Sequence, residues 1–278
     1  MITLLIATRN RHKAQEIQSI LGGRFRYLTL NDFPDAPKVV EDAATFAGNA
    51  AKKALELAQW LGQSTADNSR PARHSAKRGG GSTADNPRLA RHSAKRGGGS
   101  TADGPRPGSH GHLRGEIFVV ADDSGLEADA LGGEPGVRSA RFAGLEGGGP
   151  ENSSSAQNNV KLLRLLKDVP PDKRTGRFRC VLAVCPVVRR EQESASPACQ
   201  ATEAELRTEL FEGACEGRIT AALRGRGGFG YDPLFVPEGH DLTFGELGQE
   251  VKNRLSHRAR ALQKLRQWFE RGHGERGA

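Results

Sequence analysis

The sequence predicts an α/β fold with a mixed β-sheet, because apolar runs typical of buried strands alternate with amphipathic helical patterns. Two longer strand-like runs, at residues 175–188 and 205–215, are suited to an antiparallel hairpin. Strands mixed with helices, together with a long hairpin, indicate one sheet with both kinds of pairing. With 278 residues, the chain is long enough to bury a sizeable core in one or two domains.

The first half of the chain predicts two strand–helix pairs. Residues 2–7 are a buried-strand run, and the helix that follows them has an apolar face made of Ala14, Ile17, Ile20 and Leu21. A second strand is predicted at residues 25–30. A second helix is predicted at residues 45–61, where Ala, Leu and Lys are good helix formers.

The second half predicts strands at residues 117–126 and 126–131, a helix at 158–166, the hairpin, and a last helix at 256–271. The helix at 158–166 has two possible inward faces, one with Val160, Leu163 and Leu166 and the other with Leu162 and Leu165. The last helix has an apolar face that consists of Ala259, Leu262, Leu265 and Phe269.

Residues 117–126 join a buried-strand run to the sequence Asp122-Asp123-Ser124-Gly125. A strand that ends in these residues brings hard oxygen ligands to the edge of a sheet, where ligands of open α/β folds bind. Magnesium takes such oxygens, usually one or two carboxylates together with phosphate oxygens. Acidic residues are also common turn formers. By itself, the stretch therefore indicates either a metal site or a turn.

Residues 64–115 contain an 18-residue repeat, whose equivalent positions are Ser64, Ser82 and Ser100. This segment has ten Lys or Arg and three Asp, so it carries +7 of the formal net charge of +8. The copies offer only Ala and Leu89 as apolar residues, which cannot offset the entropy of ordering. We therefore expect a disordered basic insert. It has no aromatics for base stacking, so nucleic-acid binding is the less favoured interpretation.

The four cysteines have no zinc-like spacing, and small buried hydrophobic residues are the favoured interpretation for two of them. The N-terminal residues do not resemble a signal peptide. No segment approaches the roughly 18 apolar residues of a membrane span. We therefore expect a cytoplasmic enzyme that does not associate with membranes.

Three further groups of residues suggest a site for a nucleotide. Thr8, Asn10 and Lys13 lie where a strand passes into a helix, a place suited to phosphate, although Asn10 alone is typical of an N-cap. Residues 225–230 match G-x-G-x-x-G, but the proline at 233 stops the helix that a dinucleotide fingerprint must open. Phe229 or Tyr231 can stack on a base there, or the segment is a tight glycine turn. The basic group near the C-terminus, suited to a purine edge or a phosphate, consists of Lys252, Ser256, His257 and Arg258.

Taken in order, these motifs resemble the inosine/xanthosine triphosphate pyrophosphatase family. The resemblance rests on 7–10 with Lys13, on 40–42 with Thr45, Phe46, Asn49 and Lys53, on 121–126, 131–137 and 139–142, and on 216–219, 227–233 and 252–258. It covers essentially the whole chain outside the insert. It implies an elongated mixed sheet flanked by helices, as in Maf-like proteins, with the active site in a central cleft. One catalytic domain would comprise residues 1–63 and 116–272, followed by a disordered tail at 273–278.

The resemblance also implies the chemistry: a magnesium-dependent hydrolase that converts dITP, ITP or XTP to the monophosphate and pyrophosphate. It implies that Asp123 is the catalytic base and, with Glu41, a metal ligand, while Asp122 supports the site. The residues that would bind the triphosphate are Thr8, Arg9, Asn10, Lys13, Lys53 and Ser124. Those that would bind the base and sugar are Phe229, Gly230, Tyr231, Asp232, Lys252, His257 and Arg258. The family suggests a homodimer. A related pyrophosphatase for other modified nucleotides remains an alternative.

Overall fold

The computed structural model describes residues 1–67, 115–144, 152–188 and 207–273. Its first half contains strands β1 (Thr3–Ile6) and β2 (Arg26–Thr29), helices α1 (Arg11–Leu21) and α2 (Phe46–Asp67), and strand β3 (Ile117–Ala128). The second half contains helix α3 (Ser155–Leu165), strands β4 (Thr175–Pro186), β5 (Glu209–Ile219) and β6 (Phe235–Pro237), and helices α4 (Phe244–Leu255) and α5 (His257–Trp268). A π-helical turn at Phe269–His273 follows α5.

The six strands form one mixed sheet in the order β2-β1-β3-β4-β5-β6. β1 pairs in parallel with β2 and β3, whereas β3, β4, β5 and β6 pair antiparallel to their neighbours. The predicted α/β class, the mixed sheet and the hairpin of β4 and β5 are therefore confirmed. No helix in the described part of the chain is long and apolar enough to cross a membrane.

Helices cover both faces of the sheet. α2 packs on one face through small residues and leucines that are essentially inaccessible, namely Ala50, Ala54, Leu57, Ala58 and Leu61. α1 and α5 cover the opposite face through Ile17, Ala261, Leu262 and Leu265. A third cluster, around Leu162, Phe178, Phe235 and Phe244, extends the core toward β6 and α4.

β3 continues well beyond its pairing with β1. The β1 register ends with Ile6 opposite Val120, but β3 runs on to Ala128 against β4 alone. Asp122, Asp123 and Ser124 therefore lie in the middle of a strand, not at its end as the sequence indicated, and they follow the carboxyl end of β1. Because side chains alternate along a strand, Asp122 and Asp123 point to opposite faces of the sheet.

Several predicted boundaries were wrong. The separate strand at 126–131 is the continuation of β3 followed by a 3₁₀ turn at Asp129–Leu131. β5 begins and ends later than predicted, and β6 and α4 were not predicted at all. The inward leucines are Leu162 in α3 and Leu166, which follows the last residue of the helix, while Val160 and Leu165 are exposed. Each predicted face therefore combines an inward residue with an exposed one, so neither was right.

The basic insert was predicted to begin at residue 64, but α2 extends to Asp67. The rest of the predicted insert, residues 68–114, lies outside the described residues, as do residues 274–278 of the predicted tail. The expectation of disorder in these segments stays a prediction.

Candidate active site

Asp122 lies on the side of the sheet covered by α1 and α5, in a cluster of positive charge. Its carboxylate pairs with Lys13 and accepts a hydrogen bond from Arg258 Nε at 2.8 Å. The Ser124 hydroxyl donates to it at 2.9 Å, and the Cys180 thiol donates at 3.3 Å. Burial alone raises its pKa, but Arg258 and Lys13 outweigh burial and hold the pKa well below the ordinary value. Asp122 is therefore a permanently ionised anchor.

Asp123 faces α2 and has the opposite electrostatic character. It accepts one hydrogen bond from Asn49 Nδ2, at 2.9 Å. Burial raises its pKa to about 6, and the nearby Glu41 carboxylate adds to the shift, while Asn49, Lys13 and Lys53 oppose it. A carboxylate with this pKa is ionised at neutral pH and can still accept a proton, which suits a general base.

Glu41 and Lys53 complete the α2 side of the site. Lys53 pairs with the Glu41 carboxylate and donates to the Asp122 carbonyl oxygen at 3.2 Å. Arg141 donates to the Glu41 carbonyl oxygen at 3.2 Å, which fixes the segment that carries this glutamate. Within the described residues, no group of three or more His, Cys, Asp and Glu side chains is arranged to hold a metal ion. Asp123 and Glu41 thus provide two carboxylates, the number that magnesium typically takes from a protein when phosphate oxygens complete its coordination.

A buried network of six charges connects the site to the helices behind it. Glu16 pairs with both Arg258 and Lys252, and Lys252 also pairs with Asp232 at 2.7 Å. With Lys13 and Asp122, the network has three cations and three carboxylates, so its charges balance. Arg258 and Lys252 are only 1% and 2% exposed, so both depend on these carboxylates for solvation.

The glycine-rich segment is a rigid turn held by hydrogen bonds. Asp232 accepts from the Phe229 backbone N–H at 2.7 Å, and Asn159 Nδ2 donates to the Gly230 carbonyl at 3.1 Å. Gly228 has a φ of 73°, and a Cβ there would collide with the Asp232 carboxylate. The Tyr231 hydroxyl donates to the Ser139 carbonyl at 2.9 Å, which ties the turn to the 3₁₀ segment Gly136–Arg141. These hydrogen bonds therefore fix the backbone that carries the Phe229 ring.

A cavity of about 290 Å³ lies between the start of α1, this turn and the start of α5. It is lined by ten of the predicted site residues, which are Asn10, Lys13, Ser124, Phe229, Gly230, Tyr231, Asp232, Lys252, His257 and Arg258. Asp123, Glu41 and Lys53 are not in its lining and lie toward α2. The structure thus separates a cavity from a carboxylate cluster, with β3 between them.

His257 is buried in the cavity wall, where its ring stacks on Phe178 with centroids 4.8 Å apart. Burial and the adjacent Arg258 lower its pKa well below the ordinary value, so the imidazole is neutral at pH 7. Its Nδ1 is buried and has no hydrogen-bond partner among the described residues.

Two predicted residues are used differently. The Arg9 guanidinium donates to the carbonyl oxygens of Leu30 and Ala36, at 2.8 and 3.4 Å, so it anchors a loop and does not line the cavity. The Thr8 hydroxyl accepts from the Asn10 backbone N–H at 3.1 Å, and Asn10 in turn caps α1 by accepting from the backbone N–H groups of His12 and Lys13. Thr8 and Asn10 thus shape the start of α1, and of the residues Thr8, Arg9 and Asn10 only Asn10 lines the cavity.

No role was predicted from the sequence for Glu16, Asn49, Asn159 or Phe178. The sequence contains one indication that Glu16 belongs to the site: it follows Lys13 by three residues and therefore lies on the same face of α1. Asn49 stood among the motif residues as a polar residue in an alanine-rich helix. The sequence contains no such indication for Asn159 or Phe178, because Asn159 contacts Gly230 and Phe178 contacts His257, and both contacts join positions far apart in the chain.

Comparison with known proteins identifies the family. The sequence pattern of the Ham1 family matches residues 4–70 and 105–268. The chain belongs to the Ham1 family. A dITP/XTP pyrophosphatase of Geobacter sulfurreducens is 37% identical over 267 residues, which cover 96% of both chains. One of Desulforamulus reducens is 35% identical over 269 residues, again 96% of each.

Solved structures of Ham1 proteins have the same fold. A HAM1 protein from Coxiella burnetii has a TM-score of 0.63 and 25% identity, with 98% of this chain and all of that chain covered. A nucleoside-triphosphatase / dITP/XTP pyrophosphatase from Mycobacterium abscessus has a TM-score of 0.54 and 29% identity, with 95% and 98% covered. The resemblance seen in the sequence is thereby confirmed at the level of family and fold.

Proposed function

We propose that this chain is a magnesium-dependent nucleoside-triphosphate pyrophosphohydrolase that converts dITP, ITP and XTP to the monophosphate and pyrophosphate. Such an enzyme removes deaminated purines from the nucleotide pool. One observation carries the proposal: β3 presents Asp123, a buried carboxylate with a pKa of about 6, beside a cavity with the cationic lining that a nucleotide needs. The relatives of 35% and 37% identity that are named dITP/XTP pyrophosphatases support it.

The triphosphate would be held on the α1 side. The N-terminus of α1 contributes the positive end of its dipole, although the Asn10 side chain already accepts from the backbone N–H groups of His12 and Lys13, and the Lys13 side chain adds a charge in the same first turn. Lys53 supplies a second ammonium from the α2 side. Together these groups neutralise the developing charge of a phosphate under attack.

Asp123 accepts the proton of the attacking water in this proposal. Water adds to the α-phosphorus, the bond from that phosphorus to the bridging oxygen breaks, and pyrophosphate leaves. Asn49 orients the Asp123 carboxylate by its hydrogen bond, and Asp123 and Glu41 would hold the magnesium ion. When bound, the magnesium ion neutralises phosphate charge and orients the reacting groups.

The base would enter the cavity beside Phe229. A 6-keto purine needs hydrogen-bond donors opposite its O6, and a 6-amino purine would leave such donors unpaired. Lys252 has three N–H groups, of which Glu16 and Asp232 take two, so one remains for a ligand. His257 Nδ1 has no partner among the described residues, and it is a second donor when the neutral imidazole carries its proton on this nitrogen. These donors favour hypoxanthine and xanthine over adenine.

A substrate panel tests the function. Purified protein is given ITP, dITP, XTP, GTP, ATP and dUTP, with magnesium and with EDTA, and pyrophosphate and orthophosphate are measured separately. We expect pyrophosphate release from ITP, dITP and XTP and none from ATP or dUTP, and only with magnesium, while GTP, which also has a 6-keto group, tests whether the 2-amino group is rejected as well. Orthophosphate as the product would refute the proposal, and activity confined to pyrimidine or other modified nucleotides would identify the alternative enzyme.

The homodimer implied by the family resemblance remains part of this proposal, and so does a cytoplasmic location. Light scattering after size-exclusion chromatography gives the mass of the assembly directly. A mass of one chain at micromolar concentration would contradict the dimer and leave the proposed reaction untouched.

A further inference from the structure

Phe229 already has a ring stacked on it, and that ring belongs to a residue with no role so far. The His12 imidazole lies with its centroid 5.6 Å from the Phe229 centroid and its plane tilted by only 20°. Stacked aromatic rings in contact have centroids about 4.5–7 Å apart. The two rings therefore touch, and no third ring fits between them as they stand.

The other groups near the Phe229 ring cannot move aside. Lys252 Nζ lies 4.4 Å from the ring centroid and is fixed by Glu16 and Asp232. The Arg258 guanidinium carbon lies 5.8 Å away and is fixed by Asp122 and Glu16. Both side chains are buried, and moving either would break a balanced network.

His12 is in the opposite situation. It is exposed in the first turn of α1, and its imidazole forms no hydrogen bond with any other described residue. Its backbone N–H is held by the Asn10 cap, so the side chain can rotate away while the helix start keeps its shape. Among the described groups that contact the Phe229 ring, His12 is therefore the one whose side chain can move away from it.

We propose that His12 is an affinity-determining residue that covers the base-stacking face of Phe229 and must leave it when a purine binds. This inference rests on the proposed function, because it assumes that the base stacks on Phe229. His12 does not line the cavity as it stands, so a base that stacks on the face covered by the imidazole reaches past the present lining and competes with His12 for one aromatic surface. When a nucleotide binds, the free energy of stacking His12 on Phe229 is lost, and the binding free energy of the nucleotide becomes less favourable by that amount.

The test compares His12→Ala with the wild-type chain by calorimetric binding of inosine monophosphate and of inorganic tripolyphosphate. Without the imidazole, we expect inosine monophosphate to bind about two- to tenfold more tightly, the range that one aromatic stack is worth. Tripolyphosphate has no base, so its affinity should not change. His12→Phe, with a larger ring, should bind the monophosphate more weakly than His12→Ala.

Gln15→Ala is the matched control, since it truncates another exposed residue of α1 and should leave both affinities unchanged. Thermal melts of all variants verify that the fold is intact. Unchanged or weaker binding of inosine monophosphate to His12→Ala would overturn the inference, and weaker binding would mean that the imidazole sandwiches the base. An equal change for tripolyphosphate would overturn it too, because His12 would then act on the phosphates. Pyrophosphate release by the wild-type chain tests the proposed function separately.

Discussion

Replacing Glu16 by Gln removes one negative charge from the buried network of three cations and three carboxylates. Glu16 is 4% exposed and pairs with both Arg258 and Lys252, so the substitution leaves two buried cations short of a partner. Its pKa is lowered below the ordinary value, because Arg258 and Lys252 outweigh the opposing effect of burial. The folded state therefore already favours the ionised glutamate.

The magnitude follows from the burial of the partners. Removing one member of a buried ion pair typically costs about 3–5 kcal/mol. For a domain of this size, such a loss lowers the midpoint of thermal unfolding by about 6–20 °C. It is a large share of the roughly 5–15 kcal/mol that stabilises a typical domain. We expect Glu16→Gln to fold at low temperature and to melt far below the wild-type chain.

Urea unfolding followed by circular dichroism measures the loss. Glu250→Gln is the matched control, because it makes the same chemical change in an exposed pair with Arg254 and should cost about 0–1 kcal/mol. A cost below about 1 kcal/mol for Glu16→Gln, equal to that of Glu250→Gln, would refute the buried network.

The remaining predictions concern the site. Asp123→Asn should abolish pyrophosphate release yet, in EDTA at pH 8, raise stability by up to about 3 kcal/mol, since burial raises the pKa from 3.8 to about 6 and disfavours the carboxylate. That gain should shrink as the pH is lowered from 8 and be mostly lost by pH 4, because the folded Asp123 is protonated below about pH 6 and the unfolded carboxyl only below about pH 3.8; a variant less stable than wild type at pH 8 would contradict it. For wild type, kcat/KM should fall about tenfold per pH unit below pH 6, because a protonated Asp123 cannot accept the water proton. An acid limb near pH 4 would exclude Asp123 as the free base. His257→Ala should reduce the preference for ITP over ATP, measured as the ratio of kcat/KM; an unchanged ratio would remove His257 from base recognition.

Local patterns in the sequence were sufficient for the class of the fold. Apolar runs of four or more residues and amphipathic helical spacing depend only on neighbouring residues, and they located β1, β2, α1, α2, α5 and the β4–β5 hairpin. The short β6 and the kinked α4, which has a non-helical Gly248, have patterns too weak to read. The end of β3 was placed two residues too early, and residues 126–131 were predicted as a separate strand, because only the pairing with β4 shows that β3 continues to Ala128.

In the candidate site, too, contiguous motifs predicted some features, and others depend on contacts that form only in the folded chain. Ordered motifs were enough to name Asp123, Glu41, Lys13, Arg258 and the turn around Phe229, since each motif is contiguous. The opposite orientation of Asp122 and Asp123 is a consequence of strand alternation, and only the placement of both in the middle of β3 made it evident. Their different pKa values likewise depend on what each side chain meets on its own face of the sheet.

The sequence by itself therefore determined the α/β class, the family and most residues that line the cavity, because these depend on composition and local order. The tertiary structure decided which residues act on one another. Glu16, Asp122 and Arg258 are far apart in the chain, and their charges balance only after folding excludes water from between them. The placement of His12 over Phe229 is of the same kind, since it joins a helix start to a turn more than 200 residues later.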